Sequence, residues 1–158
     1  MKLNLGCGNV IKLGYTNLDV RQLPGVDVVH DLTIPLPFPE NSVDEIVASD
    51  LLEHFSMSKT NQVLKDWIRV LKVGGLLVIR VPDLMAVSKA IANGDSRISL
   101  DNCILRIYGG QDYPTNFHYF GFTKETLTKR LASLGMTNFK VTDVGFNFEI
   151  TGEKQKLA

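Results

Sequence analysis

The sequence predicts an α/β fold: a doubly wound, mostly parallel seven-stranded sheet with an antiparallel closing strand, its first crossover helix shortened or absent. Three observations predict it. Five short aliphatic or β-branched runs, at residues 3–5, 16–19, 26–31, 43–49 and 76–81, are interleaved with turns and helical stretches. Two further alternating runs, 139–141 and 146–150, flank Gly145 and read as an antiparallel pair. Only the seven residues 9–15 separate Gly8 from the second run, whereas a parallel crossover that carries a helix needs about a dozen.

The elements follow in order. The first strand, 3–5, stops at Gly6-Cys7-Gly8, and the second ends in Asp19. The run VDVVHD at 26–31 reads as a third, buried strand. Prolines at 35, 37 and 39 then forbid both helix and ladder. VDEIVAS at 43–49 is a fourth strand, and Asp50-Leu51-Leu52-Glu53-His54-Phe55 follows it directly, with Glu53 and His54 read as capping and pinning the next helix. That helix has Val63, Leu64, Trp67, Ile68 and Leu71 on one face, Ser58 as its N-cap and Gly74-Gly75 as its stop. LLVIRV at 76–81 is a fifth strand broken by Pro82. Asp83 caps a helix with Leu84, Val87 and Ile91 on one face, ended by Gly94, and Ser99 caps a shorter one closed by Gly109-Gly110. QDYPTNFHYFGF at 111–122 crowds aromatics around His118, as either a lid over a ligand or a satellite core. Thr123 caps the last helix, where Phe122 and Leu127 are spaced as a hydrophobic staple.

Length and composition bound the function. A chain of 158 residues is expected to form one domain over 1–158, burying roughly 70% of its unfolded surface, with residues 95–122 as a substrate-side insertion or lid and 152–158 as a polar tail. Lys+Arg and Asp+Glu are both 17, and no basic patch is evident, so nucleic acid is not indicated as a partner. Cys7 and Cys103 have no CxxC spacing, so no metal site and no disulfide framework are expected. No basic-then-apolar leader and no apolar run near 18 residues is present, which predicts a cytoplasmic protein with no membrane partner.

The order strand, glycine turn, strand, acid is that of an adenosine-cofactor site, because glycines admit close backbone approach and an acid at a strand tip accepts hydrogen bonds from a ribose. A dinucleotide fold would want G-x-G-x-x-G with an acid about 20 residues on. Here Ile11 holds the third glycine position, Asp19 comes too soon, and no G-K-[ST] follows for a phosphate loop. The stretch 1–19 instead resembles motif I of the class I S-adenosylmethionine (SAM)-dependent methyltransferases. The LLEH segment after the fourth strand and VLKVGGLLVIRVPD at 70–83 are similar to later segments of that family, in the same order.

The resemblance implies that Gly6, Cys7 and Gly8 lie under the methionine part of SAM, that Asp19 and Val20 hold the ribose, and that Asp31 and Leu32 flank the adenine. It also places Ser49 and Asp50 beside the sulfonium. Asp50 and His118 are the candidate catalytic residues, as a proton acceptor or a group that steadies charge. The implied activity is methyl transfer from SAM to an oxygen or nitrogen of a small-molecule acceptor, with S-adenosylhomocysteine as product; a saccharide or its precursor enters as acceptor only by fold analogy. Asn4 stands where the family often has an acid, and the first crossover is short. Those two departures favour an alternative reading, a non-catalytic SAM-binding scaffold subunit that supports a partner protein; either reading admits a homo-oligomer or a partner subunit.

Overall fold

Short aliphatic runs next to glycine and proline turns pair into a sheet because they bury a face while their backbone groups bond across strands. The computed structural model describes residues 1–156. Its strands are β1 (Lys2–Leu5), β2 (Thr16–Asp19), β3 (Val28–Val29), β4 (Val43–Ser49), β5 (Leu71–Pro82), β6 (Met136–Val144) and β7 (Asn147–Lys154). The helices are α1 (Met57–Val70), α2 (Leu84–Asn93), α3 (Leu100–Tyr108) and α4 (Lys124–Ser133), with a 3-10 turn at Leu52–His54. The sheet order is β3-β2-β1-β4-β5-β7-β6, and β7 runs antiparallel to both of its neighbours. The predicted seven-stranded sheet with a reversed closing strand is therefore the observed one.

Register decides which side chains share a face. Leu3 aligns with Ile46 and Ile46 with Leu77, while Leu5, Leu18, Ala48, Ile79 and Ile150 fall in the adjacent row. All are buried, in one cluster with Val63, Leu64 and Trp67 of α1 and Leu127 and Leu131 of α4. The Phe122–Leu127 staple is buried, and Thr123 and Thr126 form a capping box. Helical cover begins only after β4, because β1, β2 and β3 are each followed by a loop.

The opposite face is polar at its β1–β4 end, where Lys2 pairs with Glu45 at 2.8 Å and the Tyr15 hydroxyl donates to the same carboxylate at 2.5 Å. The short first crossover is held over this face by two buried amides, Asn4 and Asn17. Asn4 Nδ2 donates to Val10 O and to Asn17 Oδ1, both at 2.9 Å. Asn17 Oδ1 also accepts from Lys12 N at 2.9 Å, and its Nδ2 lies 3.2 Å from Tyr15 O. Asn4 thus has a specific structural use: an acid there would have no donor for the Val10 carbonyl or for Asn17 Oδ1.

Several expectations are corrected by the structure. The third strand is only two residues long and is not buried: Val29 is 52% exposed. Asp27 Oδ2, accepting from Asn17 N at 2.7 Å, takes a ladder position from the backbone. Helix α1 begins after Ser56, not Ser58, and ends at Val70. Gly74 and Gly75 lie within β5, in an excursion between the pairs Val43↔Leu71 and Glu45↔Leu76. A Cβ on Gly75 would sit 2.9 Å from Lys72 O, so the bulge itself requires glycine. The buried stripe of α2 is Val87 and Ala90, which pack with Cys103 of α3, while Leu84 and Ile91 are partly exposed. The polar tail expected from 152 starts later, since β7 continues through Lys154; its last residues, 157–158, lie outside those described. No helix among the described residues is long and apolar enough to cross a membrane.

Asn17→Ala should lower the unfolding free energy by about 1–3 kcal/mol, because it strands Asn4 Nδ2 and Lys12 N in a buried site. Leu13→Ser, at a side chain 95% exposed in the same loop, should change it by less than about 0.5 kcal/mol. Urea titration of the two variants checks the contrast.

Candidate functional site

Strand order reverses at β1, which has β2 on one side and β4 on the other, and open α/β sheets bind ligands at the carboxyl ends of strands at such a point. A cavity of about 210 Å³ lies there, lined by Gly6, Asp19, Val20, Asp31, Leu32 and Asp50 together with Arg21, Leu51, His54, Tyr113 and Tyr119. Six of the residues expected at a cofactor site are thus brought together. Cys7, Gly8, Ser49 and His118 are not among the lining residues.

Each lining group is held by a local cause. Gly6 has φ +60, and a Cβ there would meet Leu51 Cδ1 at 2.5 Å, so only glycine lets the chain leave β1 in this direction. Asp19 is 5% exposed. Its Oδ2 accepts from Gly8 N at 2.8 Å, and its Oδ1 accepts from Arg21 N at 2.9 Å and Arg21 Nε at 3.1 Å. The glycine turn is therefore tied to the tip of β2 by a charge-assisted bond, with acceptor capacity to spare on the carboxylate. Gly8 serves through its amide, while Cys7 is buried, donating its N–H to Leu18 O at 2.9 Å, and burial pushes its thiol up. Asp31 accepts from Thr33 N at 2.8 Å, and this bond, with the Thr33 side chain, holds its carboxyl below the usual range.

Beyond β4 the chain takes a left-handed step at Asp50, φ 51. The Asp50 carboxylate pairs with Arg80 through Oδ2, and its Oδ1 accepts from Asn147 Nδ2 at 2.7 Å. Asn147 Oδ1 in turn accepts from Arg106 Nη1 at 2.5 Å. This chain of bonds commits Asp50 to one guanidinium and one amide donor, which fixes the carboxylate in the wall.

A second cavity, about 270 Å³, shares Tyr119 with the first and is lined mainly by Leu84, Val87, Ile107, Phe120 and Phe122, with Glu53, Arg106 and His118 among its polar members. His118 Nδ1 donates to Arg106 O at 2.9 Å, and burial lowers the imidazole's pKa. His54 Nδ1 donates to Phe117 O at 3.0 Å, and burial, then the neighbouring His118, lowers its pKa as well. The two rings meet edge to face at 4.8 Å. Glu53, with an oxygen 4.0 Å from His118 Nε2, is 2% exposed, and its carboxyl is raised to about 8 by burial and by the charge of Asp50. Neither Glu53 oxygen has a hydrogen-bond partner, so it does not cap the following helix as the sequence led one to expect.

The aromatic segment at 111–122 lines the first cavity with part of its length and joins the main core with its end. Phe122 is buried, and the amides of Tyr119 and Phe120 donate to Glu53 O. Tyr113 and Tyr119 line the first cavity, and the Arg21 guanidinium lies over the Tyr113 ring at 4.4 Å, linking the β2 loop to this segment. Sequence reasoning missed Arg21, although its place two residues after a strand-tip acid was a signal. It missed Leu51 as a lining residue because no local pattern marks a contact made across chain segments.

Comparisons agree with this geometry. A family model described as a methyltransferase domain matches residues 3–79. The chain is 35% identical over 69 residues to a demethylmenaquinone methyltransferase of Listeria welshimeri, covering 44% of this chain and 28% of the relative. It is 36% identical over 70 residues to the corresponding protein of Geobacillus kaustophilus, covering 44% and 29%. The matched stretch thus spans less than a third of the curated relatives. Among solved structures, a possible histamine N-methyltransferase of Thermotoga maritima superposes with a TM-score of 0.69 at 16% identity, over 98% of this chain and 82% of that one. A Burkholderia thailandensis 1,6-didemethyltoxoflavin-N1-methyltransferase, solved with its substrate and S-adenosylhomocysteine, superposes with a TM-score of 0.65 at 14% identity, over 98% and 71%. The glycine turn, the strand-tip acid, the strand order and the family model agree: residues 3–79 match the methyltransferase-domain family, and the chain has the class I SAM-dependent methyltransferase fold.

Proposed function

We propose that this protein binds SAM in the cavity at the strand-order reversal and transfers its methyl group to an oxygen or nitrogen of a small acceptor held in the adjoining cavity. The observation that carries the reading is the convergence of Gly6, Asp19, Asp31, Leu32 and Asp50 on one cavity. Asn4, whose amide holds the first crossover, is not a mark of lost function, so the scaffold alternative rests on the short crossover alone. Two buried free cysteines fit the reducing cytoplasm we assign to it.

The residues present fit the cofactor. The bare backbone at Gly6 leaves room for the methionyl portion, the remaining acceptor capacity of Asp19 suits ribose hydroxyls, and Asp31 with Leu32 offers a polar edge and an apolar face for adenine. When bound, SAM supplies an electrophilic methyl on a positively charged sulfur. The protein's own part is alignment and water exclusion, which can contribute roughly 7–11 kcal/mol of the barrier. The Arg21–Tyr113 stack narrows the mouth, and the fixed charge of Asp50 sits at the sulfonium end, where it favours a cation. His118, neutral at pH 7, lines the acceptor cavity and stands as the candidate positioning group there. The largely apolar lining of that cavity suits a flat, weakly polar acceptor better than a saccharide, which would leave many hydroxyls unpaired.

Calorimetry with SAM, S-adenosylhomocysteine and NAD should give binding for the first two and none for NAD; the reverse pattern would remove the assignment. Asp19→Ala should weaken SAM binding by about 1–3 kcal/mol, checked in the same calorimeter, with unchanged affinity moving the ribose role elsewhere. Gly6→Ala should abolish measurable SAM binding, since its Cβ displaces Leu51 into the cavity, while thermal unfolding stays cooperative. Turnover is tested by release of S-adenosylhomocysteine across a panel of phenols, aromatic amines and sugars, with the aromatic compounds expected to respond.

A further inference from the structure

Three potential metal ligands meet at the wall between the two cavities. One ligand atom from each of Glu53, His54 and His118 lies within 4.8 Å of the other two, and His118 Nε2 is 4.0 Å from Glu53 Oε1. Each imidazole commits its Nδ1 to a backbone carbonyl, Phe117 O for His54 and Arg106 O for His118. A carbonyl can only accept, so Nδ1 carries the proton and the remaining nitrogen of each neutral ring keeps its lone pair. Metal-ligating histidines are held in this way, with the other ring N–H bonded to a carbonyl or carboxylate. Glu53 is 2% exposed with no partner for either oxygen, and a buried polar group left without a partner calls for an ion, a water or a donor to complete it. Asp50 does not meet that need, being an anion already bound to Arg80 and Asn147.

We propose that Glu53, His54 and His118 form a binding site for one divalent transition-metal cation at the wall shared by the two cavities. Two imidazoles and one carboxylate suit zinc, cobalt, iron or manganese over calcium or magnesium, and leave coordination positions open. Bonds of about 2.0–2.2 Å place ligand atoms roughly 3.4 Å apart in a tetrahedral site, so closing the observed spacing needs side-chain shifts of about an ångström or less. Glu53 and His118 line the acceptor cavity, so the open positions would face it. The separation in sequence between His54 and His118 explains why no ligand spacing marks the site in the chain, against the expectation of no metal.

The test needs neither SAM nor an acceptor. The full chain, stripped with a chelator, is titrated with Co²⁺ and Zn²⁺ and followed by visible absorption and calorimetry. One equivalent of Co²⁺ with a ligand-field spectrum is expected, displaced by Zn²⁺ and accompanied by a rise in the unfolding temperature. Glu53→Gln and His118→Gln should each weaken binding by at least about 100-fold. His30→Asn, altering the third histidine of the chain, should leave it unchanged. Circular dichroism identifies any variant that fails to fold, and each of the two ligand variants suffices without the other. Absence of binding up to millimolar metal would overturn the proposal, as would binding that survives both ligand substitutions or is lost with His30.

Discussion

A connection too short to hold a helix governs how this sheet is built. Between Gly8 and Thr16 the chain has no room for the usual crossover, so the segment passes over the sheet as a loop whose polar groups need partners in a partly buried position. Asn4 on β1 and Asn17 on β2 supply them, adjacent in register and each able to donate and accept. The same shortness brings Gly8 within reach of Asp19, so the carboxylate that ends β2 fastens the glycine turn ending β1. The scaffold constraint and the geometry of the site are therefore one feature.

The site is assembled from strand ends stabilised on the far face of the sheet. Leu3, Leu5, Leu18, Ile46 and Ala48 are fully buried against α1 and α4, and that core fixes the carboxyl ends to which Gly6, Asp19 and Asp50 are attached. Polar groups there are satisfied mostly by one another: Asp19 by Gly8 and Arg21, Asp50 by Arg80 and Asn147, Asn147 by Arg106. Such a network holds charges in place before any ligand arrives, the condition under which electrostatic stabilisation costs least reorganisation.

Glu53 breaks that pattern. In a region where other carboxylates are paired, it is the most buried and has no partner, with two imidazoles beside it whose orientation is set by backbone carbonyls. Natural structures retain a buried unsatisfied group where function requires it or where an ion or water completes it. A cation at this point would connect the cavity at the strand-order reversal, through His54, with the adjoining apolar cavity, through His118 and Glu53.

The sequence by itself determined the fold class, because hydrophobic runs of strand length, the glycine turn, the strand-tip acid and the Asp83, Ser99 and Thr123 caps are all local signals. It also brought together most of the lining of the cavity at the strand-order reversal, since Gly6, Asp19, Asp31 and Asp50 each end or follow a strand, and strand ends in a parallel sheet converge. Tertiary structure alone decided the rest. The third strand shrank because the Asp27 side chain competes with its ladder; Gly74-Gly75 became a bulge because β5 extends back to pair with Val43; and the exposed face of α2 depends on where α3 packs. The grouping of Glu53 and His54 with His118, and of Arg21 with Tyr113, joins segments far apart in the chain, and no periodicity or spacing encodes a contact made only when the loop at 111–122 folds back across the carboxyl end of the sheet.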